Sequence, residues 1–239
     1  MQYCFHHIPK TAGSSLQLRL SHRESIGQLP SGSTLVVYPL YDETRFYRVS
    51  EDPHFDPNTP IKEAFLRTYK NSNSQGQASI VTGHYTNITQ PGDHYVWLRD
   101  PLDRDISHFN YDYKFGNHLD NDFGTHLSLM SGNFMVLWLY GRYCGLHDSV
   151  TMEQRYNHVR KILQEKFKKV YDTKNFEESW TEIANLLKIE VEPRLNSNRV
   201  DRDYKKIISR PALTEEFKKW HRDYNNFDYL LHAEFCKPL

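Results

Sequence analysis

The chain has 239 residues, with 30 basic and 30 acidic side chains in balance and thirteen histidines. Zero formal net charge argues against nonspecific grip on a nucleic-acid backbone, which draws on a large basic excess, and leaves room only for a local basic groove. The length allows a sizeable core and fits one α/β domain over residues 1–239.

Cys4, Cys144 and Cys236 are odd in number, far apart and in no metal-ligand spacing, so neither a disulfide framework nor a zinc site is expected and a reducing compartment fits. No apolar run approaches the roughly 20 residues that cross a bilayer, and the first strand begins too early to leave room for a signal peptide. A soluble, cytoplasmic protein is the expectation. The sixteen tyrosines suit sugar stacking, and equally suit half-buried positions with the hydroxyl in water.

In chain order, residues 3–8 (YCFHHI) have the aromatic and apolar content of a buried strand, and residues 16–20 carry leucines at helical spacing. Between them lies PKTAGSS. Pro9 ends the strand, Gly13 offers backbone angles barred to other residues, and Ser14 or Ser15 is placed to cap the helix. Such a turn aims backbone N–H groups and the positive end of a helix at one spot, where Lys10 adds a full charge; a phosphate fits there. It is not a Walker A loop, because Lys10 precedes Gly13 and no glycine precedes it.

Residues 34–38 (TLVVY) predict a second strand, and alternation with helices points to a mostly parallel sheet. Residues 42–60 read as a loop, 61–69 as a helix, and NSNSQGQ after them as a surface turn. Residues 78–82 (ASIVT) predict a third strand ending in Gly83-His84, and 95–98 (YVWL) a fourth ending in Arg99. Asp100 then caps a helix with Pro101 in its first turn, running to about residue 114 and bearing Arg104, Ser107 and Tyr111 on related faces.

Ligands of open parallel sheets bind beyond the carboxyl ends of the strands, so the Lys10 loop, His84 and Arg99 are expected to converge. Residues 134–140 (FMVLWLY) read as a core helix. Helices are predicted over 152–165 and 176–187 around a short strand at 169–171 with Asp172 as a cap, then from Thr214 and over 228–235. The lysine doublets at 168–169, 205–206 and 218–219 read as solvated faces.

HIPKTAGSSL together with YVWLRDPLDRDISHFNY resembles the sulfotransferases that use 3'-phosphoadenosine-5'-phosphosulfate (PAPS), especially the Golgi carbohydrate group that includes the heparan sulfate 2-O-sulfotransferases. The closing NNFDYLLHAEF looks like that group's last helix. The resemblance implies a P-loop-like fold and a donor whose 5'-phosphosulfate is gripped by Lys10, Thr11, Ala12, Gly13, Ser14 and Ser15, with its 3'-phosphate on Arg99 and Ser107. Ser197 and Arg199 fall where the family closes a segment over the donor. It also implies that His84, in Gly83-His84-Tyr85, is the general base, although Thr82 stands where the 2-O group has a second histidine.

The residues agree. A phosphate takes an arginine fork and hydroxyl or amide donors, each charge-assisted bond worth roughly 1.5–3 kcal/mol, and an imidazole accepts a proton at neutral pH. His6 and His7 are expected to pack and bond near the loop. The expected acceptor is a hydroxyl, most simply of a carbohydrate, with no metal required; Lys10 shares the catalytic role by stabilising the departing phosphate. A magnesium-dependent kinase using Asp100 and a non-catalytic nucleotide- or glycan-binding domain stay open as alternatives. Golgi relatives carry a membrane anchor, so a lumenal location would require that an anchor had been removed.

Overall fold

The computed structural model describes residues 2–25, 27–29, 34–37, 79–84, 86, 88–115, 122–145, 149–191 and 213–236. Expectations for residues 42–77, for the lysine doublet at 205–206 and for Ser197 and Arg199 lie outside the described residues.

Among the described residues five strands form one sheet: β1 (Tyr3–His6), β2 (Thr34–Val37), β3 (Ser79–Gly83), β4 (Asp93–Leu98) and β5 (Phe167–Asp172). Every pairing is parallel, in the order β2-β3-β1-β4-β5. Parallel strands need both faces covered, and here both are. Alternation along β4 divides the core: Tyr95 and Trp97 face one side with Phe5, while Val96 and Leu98 face the other.

The first side is covered by α1 (Gly13–Ser25) and α6 (Phe176–Leu187), through Leu16, Leu20, Trp180 and Ile183. The second is covered by α4 (Phe134–Tyr143), α5 (Met152–Lys166) and α8 (Asn226–Phe235), through Met135, Leu139, Leu163 and Leu231. Each fully buried large side chain contributes about 1.5–3 kcal/mol. A satellite cluster joins α2 (Pro101–Phe115), α3 (Phe123–Ser128) and α7 (Glu215–Tyr224) around Phe109 and Phe123.

Helix starts follow the sequence signals. Asp100 accepts from the Asp103 N–H at 3.0 Å, Thr151 and Gln154 form a capping box on α5, and Thr214 caps α7 through the Phe217 N–H. Asp172 caps a short 3₁₀ turn, Thr173–Asn175. Helix α4 is capped from afar: the Asp228 carboxylate of α8 accepts from the Met135 and Val136 N–H groups, each at 2.9 Å. Near that buried carboxyl are the charges of Arg104 and His221, with Asp105 between those two and 2.9 Å from the imidazole.

Chain direction sets where a site can form. After β1 the chain enters α1 on one face; after β4 it leads toward the helices of the other face. Neighbouring strands whose connections part in this way leave a crevice at their carboxyl ends, and β1 and β4 are neighbours. No helix among the described residues is long and apolar enough to cross a membrane.

Candidate active site

The turn after β1 is built from two left-handed residues, Lys10 at φ 68° and Ala12 at φ 64°. Neither is glycine, and each holds a conformation that costs an L-residue roughly 1–2 kcal/mol. Left-handed residues alternating with ordinary ones curl successive N–H groups into a concavity suited to anions. Thr11, between them, closes the turn: its N–H and its hydroxyl both donate to the Ile8 carbonyl, at 3.2 and 2.9 Å. Its side chain is buried, and its hydroxyl proton is engaged in the turn.

Two sequence expectations for this turn are corrected. Helix α1 begins at Gly13, with the Leu16 N–H already donating to the Ala12 carbonyl at 3.1 Å. Ser14 and Ser15 therefore lie within its first turn and not at the cap, because Ala12, in the left-handed region, is where the helix starts. Gly13 is also needed for space and not for a positive φ. A Cβ there would lie 1.9 Å from the His7 ring.

Arg99 and Lys10 come together. Arg99, one residue beyond β4, donates from Nη1 to the Lys10 carbonyl at 3.1 Å, which ties the β4 end to the apex of the β1 turn. The Lys10 ammonium lies 3.2 Å from the centre of the Tyr111 ring on α2, a cation–π contact. Ser107 sits one turn earlier on α2, half-buried. Arg104 does not share that surface: it is buried, paired with Asp105 and placed over the Phe134 ring at 4.0 Å.

His84 follows β3, the strand on the other side of β1. Its Nδ1 lies 2.8 Å from the His7 carbonyl. A carbonyl only accepts, so Nδ1 carries the proton and Nε2 is the ring's basic nitrogen. The His84 ring stacks on His7, with centroids 3.9 Å apart, and meets Trp138 edge-on. His7 in turn touches Gly13, so one continuous stack links His84 to the Lys10 turn. Burial, with the nearby charges of His84 and Lys10, holds the His7 pKa well below the usual imidazole value, so His7 is neutral at pH 7.

A small cavity opens beside this stack, lined by His6, His7, His84, Trp138, Arg142 and Tyr143. Three of these belong to α4, which the sequence reads as core packing alone. Half of that reading stands, since Met135, Val136, Leu139 and Tyr140 are buried. Trp138, Arg142 and Tyr143, at i, i+4 and i+5, form its other stripe; an arginine and a tyrosine at helical spacing after the tryptophan are the signal that was available.

His6 belongs to a second chain. Tyr143 Oη lies 2.7 Å from His6 Nδ1, His6 Nε2 lies 2.8 Å from His94 Nδ1, and His94 Nε2 lies 3.0 Å from the Gln90 carbonyl. The carbonyl fixes every proton upstream. His94 donates from Nε2 and accepts at Nδ1; His6 donates from Nε2 and accepts the Tyr143 hydroxyl at Nδ1. Burial keeps both imidazoles neutral, with lowered pKa values, and raises the Tyr143 phenol.

One grouping was invisible to cysteine counting. Asp172, His232 and Cys236 bring a carboxylate oxygen, an imidazole nitrogen and a thiol within 4.8 Å of one another. Only one cysteine takes part, and the three cysteines are free thiols. The chain matches no family model and no characterised protein sequence.

Proposed function

We propose that the chain is a PAPS-dependent sulfotransferase acting on a hydroxyl, most simply of a carbohydrate. The observation that carries this reading is the bond from Arg99 to the Lys10 carbonyl: the two groups proposed to hold the two phosphate-bearing ends of one nucleotide stand side by side at the β1/β4 crevice. The donor set fits doubly phosphorylated adenosine. The left-handed turn, the first N–H groups of α1 and Lys10 suit the 5' end, and Arg99 with Ser107 suits the 3'-phosphate.

In this reaction the acceptor oxygen attacks sulfur, the bond from sulfur to the 5'-phosphate oxygen breaks, and the acceptor proton passes to Nε2 of His84. The bond from His84 Nδ1 to the His7 carbonyl orients the ring and steadies the imidazolium that forms. Lys10 and the turn amides favour the charge growing on the leaving phosphate. A kinase reading has less support, because Asp100, its candidate magnesium ligand, is engaged as the cap of α2.

The test is transfer of radiolabelled sulfate to a glycan panel by wild type, Lys10→Ala and His84→Ala, with thermal shift by 3'-phosphoadenosine-5'-phosphate beside the same nucleotide lacking its 3'-phosphate. A shift that depends on the 3'-phosphate, with transfer lost in both variants, is expected. Undiminished transfer by His84→Ala removes it from the base role. A strong shift without transfer to any acceptor replaces the enzyme with a binding domain, and magnesium-dependent ATP consumption replaces it with a kinase.

A further inference from the structure

We propose that Asp172, His232 and Cys236 form a binding site for a zinc-class divalent ion that fastens the closing helix to the end of β5. The three residues converge from two elements. Asp172 ends β5, His232 stands in the last turn of α8, and Cys236 is that helix's C-cap. The bond from the Cys236 N–H to the His232 carbonyl, 2.8 Å, continues the helical turn through Cys236. At an i, i+4 spacing the imidazole and the thiol share one face, and that face meets the strand end.

The geometry is that of ligands standing slightly apart. His232 Nε2 is buried and has no hydrogen-bond partner among the described residues. It lies 3.6 Å from Asp172 Oδ1, too long for a hydrogen bond. Tetrahedral zinc, with bonds of about 2.0–2.2 Å to nitrogen and oxygen, holds two such atoms about 3.3 Å apart. For that pair a contraction of a few tenths of an ångström suffices; the Cys236 thiol, within 4.8 Å of both, donates to the Tyr171 carbonyl at 3.7 Å and exchanges that weak bond for the ion. Asp172 Oδ1 also accepts from the Lys174 N–H at 2.9 Å, and a carboxylate has lone pairs for both roles.

The donor set names the ion class. A thiolate with an imidazole is the pairing that zinc-class ions favour over magnesium and calcium, and one carboxylate plus one thiolate neutralises a divalent charge. Binding releases the thiol proton. With three protein ligands, a water molecule completes the shell. Thr173, next in the chain, donates from its hydroxyl to the Leu98 carbonyl at 2.6 Å. The ion would therefore brace the strand end beside the one that carries Arg99.

The experiment titrates Co²⁺ into the untagged chain, stripped with a chelator and kept under reducing, oxygen-free conditions. A near-ultraviolet thiolate-to-cobalt band that saturates at one equivalent and is displaced by Zn²⁺ is expected. Cys236→Ser abolishes the band and Cys144→Ser keeps it. Asp172→Asn, which retains an oxygen to cap Lys174, weakens binding about tenfold or more. Zn²⁺ raises the Tm of wild type and leaves that of Cys236→Ser unmoved. A band that survives in Cys236→Ser, or a wild-type titration with no saturable band, overturns the proposal.

Discussion

His6 and His7 are adjacent in sequence and belong to opposite kinds of environment. His6 sits in a chain in which both nitrogens of His6 and both of His94 are engaged, running from the Tyr143 hydroxyl to the Gln90 carbonyl. His7 and His84 are instead held face to face, with one ring nitrogen of His84 on a carbonyl and Nδ1 of His7 buried without a partner among the described residues. A chain in which every proton has one place fixes the strand it grows from. A stacked pair wedged between a glycine and a cavity positions a ring without occupying the space beside it. The same residue type thus serves architecture in one cluster and is available for chemistry in the other.

The largest effect expected from breaking this contrast is on rate. Under the proposed function, His84→Ala lowers sulfuryl transfer by about 10²- to 10⁴-fold, the usual worth of a positioned base, beyond the stability cost of about 1–3 kcal/mol expected when the buried ring that bonds the His7 carbonyl is removed. His94→Ala costs stability alone: it leaves a buried N–H of His6 without an acceptor and lowers stability by about 1–3 kcal/mol, while turnover per folded molecule stays near wild type. Steady-state kinetics beside chemical denaturation reads both, and exchanged phenotypes would exchange the two roles.

Acid comes next, acting on stability across both clusters. His6, His7, His94 and His108 have pKa values held below the usual imidazole value chiefly by burial, and His221 is brought down to about 4. A base whose folded pKa is depressed contributes stability above its unfolded value near 6.5 and loses it as pH falls toward the folded one. Asp228 works against this trend: raised to about 6 by burial, it contributes stability below its unfolded value near 3.8, and that contribution is lost as pH rises through about 6. Five histidines outweigh one carboxyl. Stability is expected to drop between pH 6.5 and 4, as denaturant midpoints at stepped pH would show.

Gly13→Ala tests the stack itself. The added Cβ meets the His7 ring at 1.9 Å, so the ring must move and the His84 contact with it. A cost of about 1–3 kcal/mol is expected, together with a fall in transfer that His94→Ala does not show. A variant as active and as stable as wild type would mean that the stack has no part in placing His84.

What could be read in the sequence divides along the same line between local and distant causes. The strands at Tyr3–His6, Ser79–Gly83 and Asp93–Leu98 are legible because short apolar runs stop at Pro9, Gly83 and Asp100. The helix Phe176–Leu187 is read to the residue because its apolar stripe ends where Lys188 turns left-handed. The cap of α4 by Asp228, the cavity lined by α4 and the meeting of Asp172 with Cys236 join residues too far apart in the chain for any periodicity to report. The β2-β3-β1-β4-β5 order is equally silent, and it is what sets Arg99 beside Lys10. Gly13 shows the boundary: its importance was visible, but the reason lay in His7, a neighbour in space.

The smallest effect concerns the turn that the His7–His84 stack adjoins through Gly13. Ala12 holds φ 64° with a Cβ, a conformation costing roughly 1–2 kcal/mol that glycine escapes, against about 0.5–1 kcal/mol for the extra freedom glycine loses on folding. Ala12→Gly is therefore expected to stabilise the chain by about 0.5 kcal/mol, a rise in Tm of one or two degrees at this length. If the turn is an anion cradle held in advance by its neighbours, the shift produced by 3'-phosphoadenosine-5'-phosphate stays the same, because Arg99 still fastens the Lys10 carbonyl. If rigidity at Ala12 holds the cradle open, stability rises while nucleotide affinity falls. Melting curves with and without the nucleotide separate these outcomes, and a loss of stability on substitution would show that the left-handed turn carries no strain to relieve.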